Sequence, residues 1–195
     1  MEAIKKFVVI GPESTGKTTL CNKLAKHYHT LWVPEFAREY LLKNGTEYSF
    51  EDLLVIARQQ VELEEAGISQ LTTKRKALLV LQDQAESVAQ ESHRLIFIDT
   101  DMYVMKVWCE YVFNKCHTWI LNRIAERKYD GYILCNPDIE WVRDELREYP
   151  DKITREKLYY YYRDLMANQE VPWLDVKGNY DERFKKATNF IDSLC

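Results

Sequence analysis

Gly11 to Thr19, Gly-Pro-Glu-Ser-Thr-Gly-Lys-Thr-Thr, match the phosphate-binding pattern G-x-x-x-x-G-K-[ST] without a gap. The flanks of this motif constrain the fold more than the motif alone. Phe7-Val8-Val9-Ile10 upstream is a short apolar, β-branched run suited to a buried parallel strand. Thr18 to Tyr28 downstream reads as a helix, with Leu20, Leu24 and Ala25 on one face. A chain opening on strand, glycine loop and helix is committed to a βα unit, and hence to a parallel sheet. A Gly-rich turn before an ordinary helix is the bland alternative. It leaves the fixed positions and both flanks without a reason.

The spacing has a chemical logic. Gly11 and Gly16 permit backbone angles and a close approach that a Cβ would obstruct, so the N–H groups of Glu13, Ser14, Thr15 and Gly16 can turn inward around a phosphate. The helix starting near Lys17 adds its positive end to that cradle. Lys17 is then placed for the β- and γ-phosphates, the Thr18 hydroxyl for Mg²⁺, and Thr19 closes the motif. The pattern implies a nucleoside triphosphate, with ATP and Mg²⁺ as the expected cofactors.

A chain of 195 residues fits one α/β domain with a substantial core. Lys plus Arg number 27 against 31 Asp plus Glu, a formal charge of −4 that argues against broad electrostatic binding to nucleic acid. No apolar run approaches membrane-spanning length, and the amino terminus lacks a secretion signal. The five cysteines show no CxxC pairing, which suits reduced thiols in a cytoplasmic protein better than disulfides or zinc.

Five strands are predicted: 7–10, 31–34, 95–98, 132–135 and 173–176. Helices are predicted over 18–28, 49–66, 72–90, 101–111, 118–127, 155–168 and 181–194. Their alternation implies a parallel sheet covered on both faces, whose ligands gather at the carboxyl ends of its strands. Polar clusters follow each later strand: Pro34 to Tyr40, Asp99-Thr100-Asp101, Asn136-Pro137-Asp138 and Lys177-Gly178-Asn179.

Each cluster has a functional and a structural reading. Asp99 ends an apolar strand, where a carboxylate holds Mg²⁺ opposite Thr18; Asp99, Thr100 and Asp101 equally suit a helix cap. Glu35 stands where an acceptor hydroxyl would wait, so either Glu35 or Asp101 is the candidate general base. Arg38, one turn on, is a candidate grip for the acceptor or a phosphate, or half of a surface ion pair. The segment 139–155 carries Arg143, Arg147 and Arg155 among acids, as a lid over a triphosphate or as a solvated amphipathic helix. Arg143 and Arg147 are the charge-stabilising candidates. Trp108 is a candidate stacking surface for a planar ring, or a core residue. The run Tyr159 to Tyr162 would spread around a helix, so only some of it packs. Gly178 lies in the stretch 177–180 that would meet adenine through its backbone. No N-K-x-D motif follows the fourth strand, which disfavours GTP.

The blocks GPESTGKTTL, VPEFAREYL, IDTDMYVMKVWCEYVF, YDGYILCNPDIEWVRDELREYPD and VKGNYDERFKKA resemble the ribosylnicotinamide kinase domain of bacterial NadR proteins, in the same order, from Phe7 to Ala187. The resemblance implies a three-layer P-loop kinase of α/β class, with a five-stranded parallel sheet and a helical lid over about 139–155. One domain would span 1–195. It implies ATP-dependent phosphorylation of nicotinamide riboside to nicotinamide mononucleotide, with Trp108 lining the riboside pocket. Full-length NadR proteins also carry a nucleotidyltransferase domain before the kinase. Its HxGH signature is missing here, so a stand-alone kinase without that second activity is expected. Two rivals share the phosphate loop: a kinase for another nucleoside or small alcohol, and a nucleotide-dependent switch.

Overall fold

The computed structural model describes residues 3–81 and 95–195, with side chains throughout these except 75–81. Five strands are joined by seven helices among the described residues. In chain order they are β1 (Lys5–Ile10), α1 (Lys17–His27), β2 (Leu31–Val33), α2 (Phe36–Asn44), α3 (Phe50–Leu81) and β3 (Leu95–Asp99). Then follow α4 (Met102–Phe113), α5 (Thr118–Glu126), β4 (Gly131–Cys135), α6 (Lys152–Ala167), β5 (Trp173–Val176) and α7 (Tyr180–Leu194). All strands are parallel in the order β2-β3-β1-β4-β5, with Val8 in register with Ile98 on one side and Tyr132 on the other.

The central strand explains the layering. Phe7, Val8, Val9 and Ile10 are wholly buried, and a fully buried apolar side chain contributes about 1.5–3 kcal/mol. Strand alternation sends Val8, Ile10, Ile96 and Ile98 into one core with Val104, Val107, Leu158 and Tyr162. Phe7, Val9 and Phe97 enter the other, against Leu20 and Leu24 of α1 and Ala187 and Ile191 of α7. A third cluster, with Leu53, Ile56, Met105 and Ile120, joins α3, α4 and α5 beside the sheet. Within α6, Tyr159 and Tyr162 are buried while Tyr160 and Tyr161 are exposed, as the helical period requires. Among the described residues no helix is long and apolar enough to cross a membrane.

Three sequence expectations need correction. The break predicted between 66 and 72 does not exist, since α3 runs unbroken from Phe50 to Leu81. Gly67 sits inside it because a Cβ there would lie 3.1 Å from Ile96 Cδ1 and 3.2 Å from Val33 Cγ2. Its missing side chain lets the helix approach the sheet. The rest of the predicted second helix, 82–90, lies outside the described residues. No helix is predicted over 36–44, yet Phe36–Asn44 forms α2, with Ala37 and Leu41 buried.

The third correction concerns the lid. Residues 139–151 form no helix; they make an irregular strap, and α6 begins only at Lys152. Asp144 takes the N–H groups of Leu146 and Arg147 within the segment, and acceptors outside it take three more. Glu13 accepts from the amides of Glu148 and Tyr149, and Ser14 Oγ from that of Val142. Pro150 then keeps the following helix separate, and Asp151 caps it through Thr154 N at 2.7 Å.

Candidate active site

The phosphate loop leaves β1 at the carboxyl edge of the sheet. Gly11 has φ +139°, and a Cβ there would stand 2.7 Å from the Cys135 carbonyl oxygen, so only glycine lets the loop pass β4. Ser14 (φ 55°) and Gly16 (φ 79°) are left-handed, which curls the loop before α1 starts at Lys17. The Thr15 hydroxyl and Lys17 Nζ both donate to the Pro12 carbonyl, at 2.7 and 3.0 Å, pinning the inner turn.

Opposite the loop, the Thr18 hydroxyl donates to Asp99 Oδ2 at 2.5 Å. Asp99 is fully buried at the end of β3, and its Oδ1 has no hydrogen-bond partner. Burial and the nearby Glu35 charge push its carboxyl well above the usual range, against the pull of Lys17 and the Thr18 hydroxyl. The capping role falls to Asp101 instead. Asp101 Oδ1 accepts from Tyr103 N (3.0 Å) and Val104 N (3.4 Å), and Oδ2 from the Tyr132 hydroxyl (2.8 Å). Burial raises its carboxyl to about 7. With both oxygens engaged and no share in the cavity wall, Asp101 is not placed to take a proton from an acceptor.

Glu35, which opens α2 without capping it, does line the cavity. That cavity, about 270 Å³, runs from the phosphate loop to a wall of Val107, Trp108, Tyr111, Tyr149 and Tyr162. Trp108 faces it while donating through Nε1 to the Tyr48 hydroxyl (2.8 Å), which itself donates to Glu148 Oε2 (3.0 Å). This chain of hydrogen bonds joins α4 to the strap. Arg38 borders the cavity, but its guanidinium forks onto Asp144 of the strap at 2.9 and 3.2 Å. It therefore ties α2 to the strap.

The strap arginines part ways. Arg147 lines the cavity and donates through Nη1 to the Val142 carbonyl. Arg143 is exposed and does not border the cavity. Arg155 is buried on α6, with Nε and Nη1 lacking partners. Glu13, whose N–H is the expected phosphate contact, commits both carboxylate oxygens to the strap: Oε1 accepts from Tyr149 N (2.7 Å) and Trp141 Nε1 (3.4 Å), Oε2 from Glu148 N (2.9 Å). Gly178 departs from expectation. Its N–H donates to Asp138 Oδ2 (2.7 Å) and its carbonyl accepts from Arg183 Nε (2.8 Å), so its backbone is spent within the fold. Tyr180, two residues on, is the part of that segment that reaches the cavity. Sequence reasoning missed Tyr48 and Arg183, neither of which stands in a chemical motif, and in the stretch 177–180 it expected a backbone contact where the Tyr180 ring approaches the loop.

A glycine-loop cradle beneath a strap, at the carboxyl edge of this parallel sheet, defines a P-loop protein with the fold of small-molecule kinases. The chain belongs to the AAA domain family, whose model matches residues 6–183. It is homologous to the trifunctional NAD biosynthesis/regulator protein NadR of Salmonella typhimurium, at 22% identity over 98% of this chain, and to that of Escherichia coli, at 21%. It covers 43% of each, so it spans less than half the length of these curated relatives. A crystal structure of NadR in complex with NR superposes with a TM-score of 0.74 at 19% identity, over 97% of this chain and 49% of that one. Thymidylate kinase from Ehrlichia chaffeensis matches over all of both chains, with a TM-score of 0.60 at 14% identity.

Proposed function

We propose that this chain is an ATP-dependent kinase that phosphorylates the 5′-hydroxyl of nicotinamide riboside, giving nicotinamide mononucleotide. The carrying observation is that the phosphate loop, the Glu35 carboxylate and an aromatic wall line one cavity. A switch protein needs only the first of these. The homology to NadR, together with a NadR structure holding NR, favours this acceptor over other nucleosides.

In this reading the loop amides and Lys17 hold the ATP phosphates in line with the acceptor. Glu35 accepts the proton of the 5′-hydroxyl as its oxygen bonds to the γ-phosphorus and the bond to the β-phosphate bridging oxygen breaks, leaving ADP. Arg147 balances charge on the transferring group, and the strap excludes water. Trp108 and its aromatic neighbours hold the pyridinium ring.

The residues also fit Mg²⁺. Asp99 Oδ1 lacks a partner beside the Thr18 hydroxyl, a hard-oxygen pair. Among the described residues no group of three or more His, Cys, Asp or Glu would hold a metal, so an ion here shares its shell with phosphate oxygens and water. Bound there, Mg²⁺ would neutralise phosphate charge.

The test is ADP release measured with nicotinamide riboside, with several other nucleosides and with no acceptor. Strong stimulation by nicotinamide riboside is expected. Stimulation by a different nucleoside alone would transfer the reading to that acceptor, and rapid acceptor-independent hydrolysis would point to a switch. Glu35→Gln should lose most of the stimulated rate.

A further inference from the structure

Arg183 lies on α7 in a run, Asp181 to Lys186, whose other charged residues are exposed. Its own side chain is 2% exposed. Burying a guanidinium is costly unless every donor finds an acceptor. Here each nitrogen does. Nε donates to the Gly178 carbonyl (2.8 Å), Nη1 to that of Thr15 (2.8 Å), and Nη2 to that of Asn136 (2.8 Å) and to Asp138 Oδ1. These acceptors belong to the loops that follow β5, β1 and β4. One planar group therefore ties three strand ends together, a task for which a lysine ammonium lacks the fork.

The bond to Thr15 has a stereochemical consequence. Across a trans peptide the C=O and the next N–H point in opposite directions, and no peptide among the described residues is cis. Arg183 draws the Thr15 carbonyl into the interior, so the Gly16 N–H faces the other way, toward the cavity that Gly16 lines. Tyr180, which borders the cavity and stands 3.0 Å from an ideal Gly16 Cβ, follows the Gly178 turn that the same guanidinium holds.

We propose that Arg183 is the positioning residue of the phosphate site: it orients the Thr15–Gly16 peptide toward a nucleotide phosphate and locks that peptide to the turn presenting Tyr180. This rests on the reading of the phosphate loop as a nucleoside di- and triphosphate site, and not on the identity of the acceptor. An apolar or purely packing role would call for neither the charge nor the three carbonyls.

The test is ADP binding by titration calorimetry without acceptor, beside initial-rate kinetics, for wild type, Arg183→Lys and Arg183→Met. Arg183→Lys keeps charge and stem and guards against the loss of fold that Arg183→Met risks. ADP affinity should fall about 10- to 100-fold in Arg183→Lys and further in any folded Arg183→Met. KM for ATP should rise in parallel, while KM for the acceptor stays within about twofold. In the ADP complex, hydrogen exchange at the Gly16 amide should quicken in Arg183→Lys. Unchanged ADP affinity, or equal losses for nucleotide and acceptor, would overturn the assignment by reducing Arg183 to a packing residue. Wild-type protein that binds no ADP would overturn the nucleotide-site reading and this inference together.

Discussion

Glu13 borders the cavity, and truncating its side chain offers a direct way to loosen the strap while keeping the backbone N–H groups of the phosphate loop. Its carboxylate accepts from the amides of Glu148 (2.9 Å) and Tyr149 (2.7 Å), with a longer contact to Trp141 Nε1 at 3.4 Å. Hydrogen bonds to a charged group contribute about 1.5–3 kcal/mol when well buried, and the half-exposed setting of Glu13 brings each amide bond nearer to about 1 kcal/mol. Glu13→Ala should therefore cost the closed strap about 2 kcal/mol, a shift of about 30-fold toward opening. The remaining ties, Val142 N to Ser14 Oγ, the Tyr48 hydroxyl to Glu148 Oε2 and the exposed Arg38–Asp144 pair, keep the strap attached. Hydrogen exchange at the Glu148 and Tyr149 amides reads the change directly. It should accelerate about 30-fold in Glu13→Ala and less in Glu13→Gln, which retains one acceptor. Acceptor-independent ATP hydrolysis should rise alongside as water enters. Unaltered protection of both amides in Glu13→Ala would refute the latch.

Asp101→Asn should keep near-normal turnover, because an amide oxygen can cap α4 and the amide nitrogen can meet Tyr132. Its effect is on pH dependence. The buried Asp101 titrates at about 7 when folded, above its unfolded value of about 4, so the folded state holds a proton that the unfolded chain has lost between those limits. That contribution is fully present below about pH 4 and disappears as pH rises through about 7. Urea denaturation from pH 5 to 8 should give a flatter stability curve for Asp101→Asn, and parallel curves would count against the assignment. Gly11→Ala combines a positive φ with a 2.7 Å approach to Cys135 O and should destabilise by about 2–4 kcal/mol, against about 1 kcal/mol for Gly45→Ala, where nothing lies within 4 Å. Trp108→Phe keeps a ring but loses the bond to Tyr48, so KM for the acceptor should rise several-fold while ADP affinity stays level.

The inner strands β1, β3 and β4 were legible because burial on both faces demands continuous apolar runs, and the half-buried edge strand Trp173–Val176 also appears at the predicted bounds. The Thr18–Asp99 pair was legible for a related reason, since motif and strand end each fix one partner. The continuity of α3 across 66–72 was not legible, because the close approach of Gly67 to Ile96 and Val33 exists only once the helix lies on the sheet. The strap was misread because its amides are satisfied by Glu13 and Ser14, more than 120 positions away. Both Asp99 and Asp101 suited a helix cap on paper. Both are buried, and hydrogen bonding separates them: Asp101 takes the amides of α4 and the Tyr132 hydroxyl, while Asp99 keeps one oxygen without a partner. Arg183 was hidden in a stretch of charges that would ordinarily face solvent.

The Arg183–Thr15 bond spans 168 positions of chain. During synthesis, β1 and its loop emerge early, yet the Thr15 carbonyl waits unpartnered until α7 has been made. A nascent chain lacking α7 can collapse its first strand–helix unit without a finished phosphate cradle. On this geometry the loop after β1 gains its last hydrogen bond only when α7 has docked against the sheet.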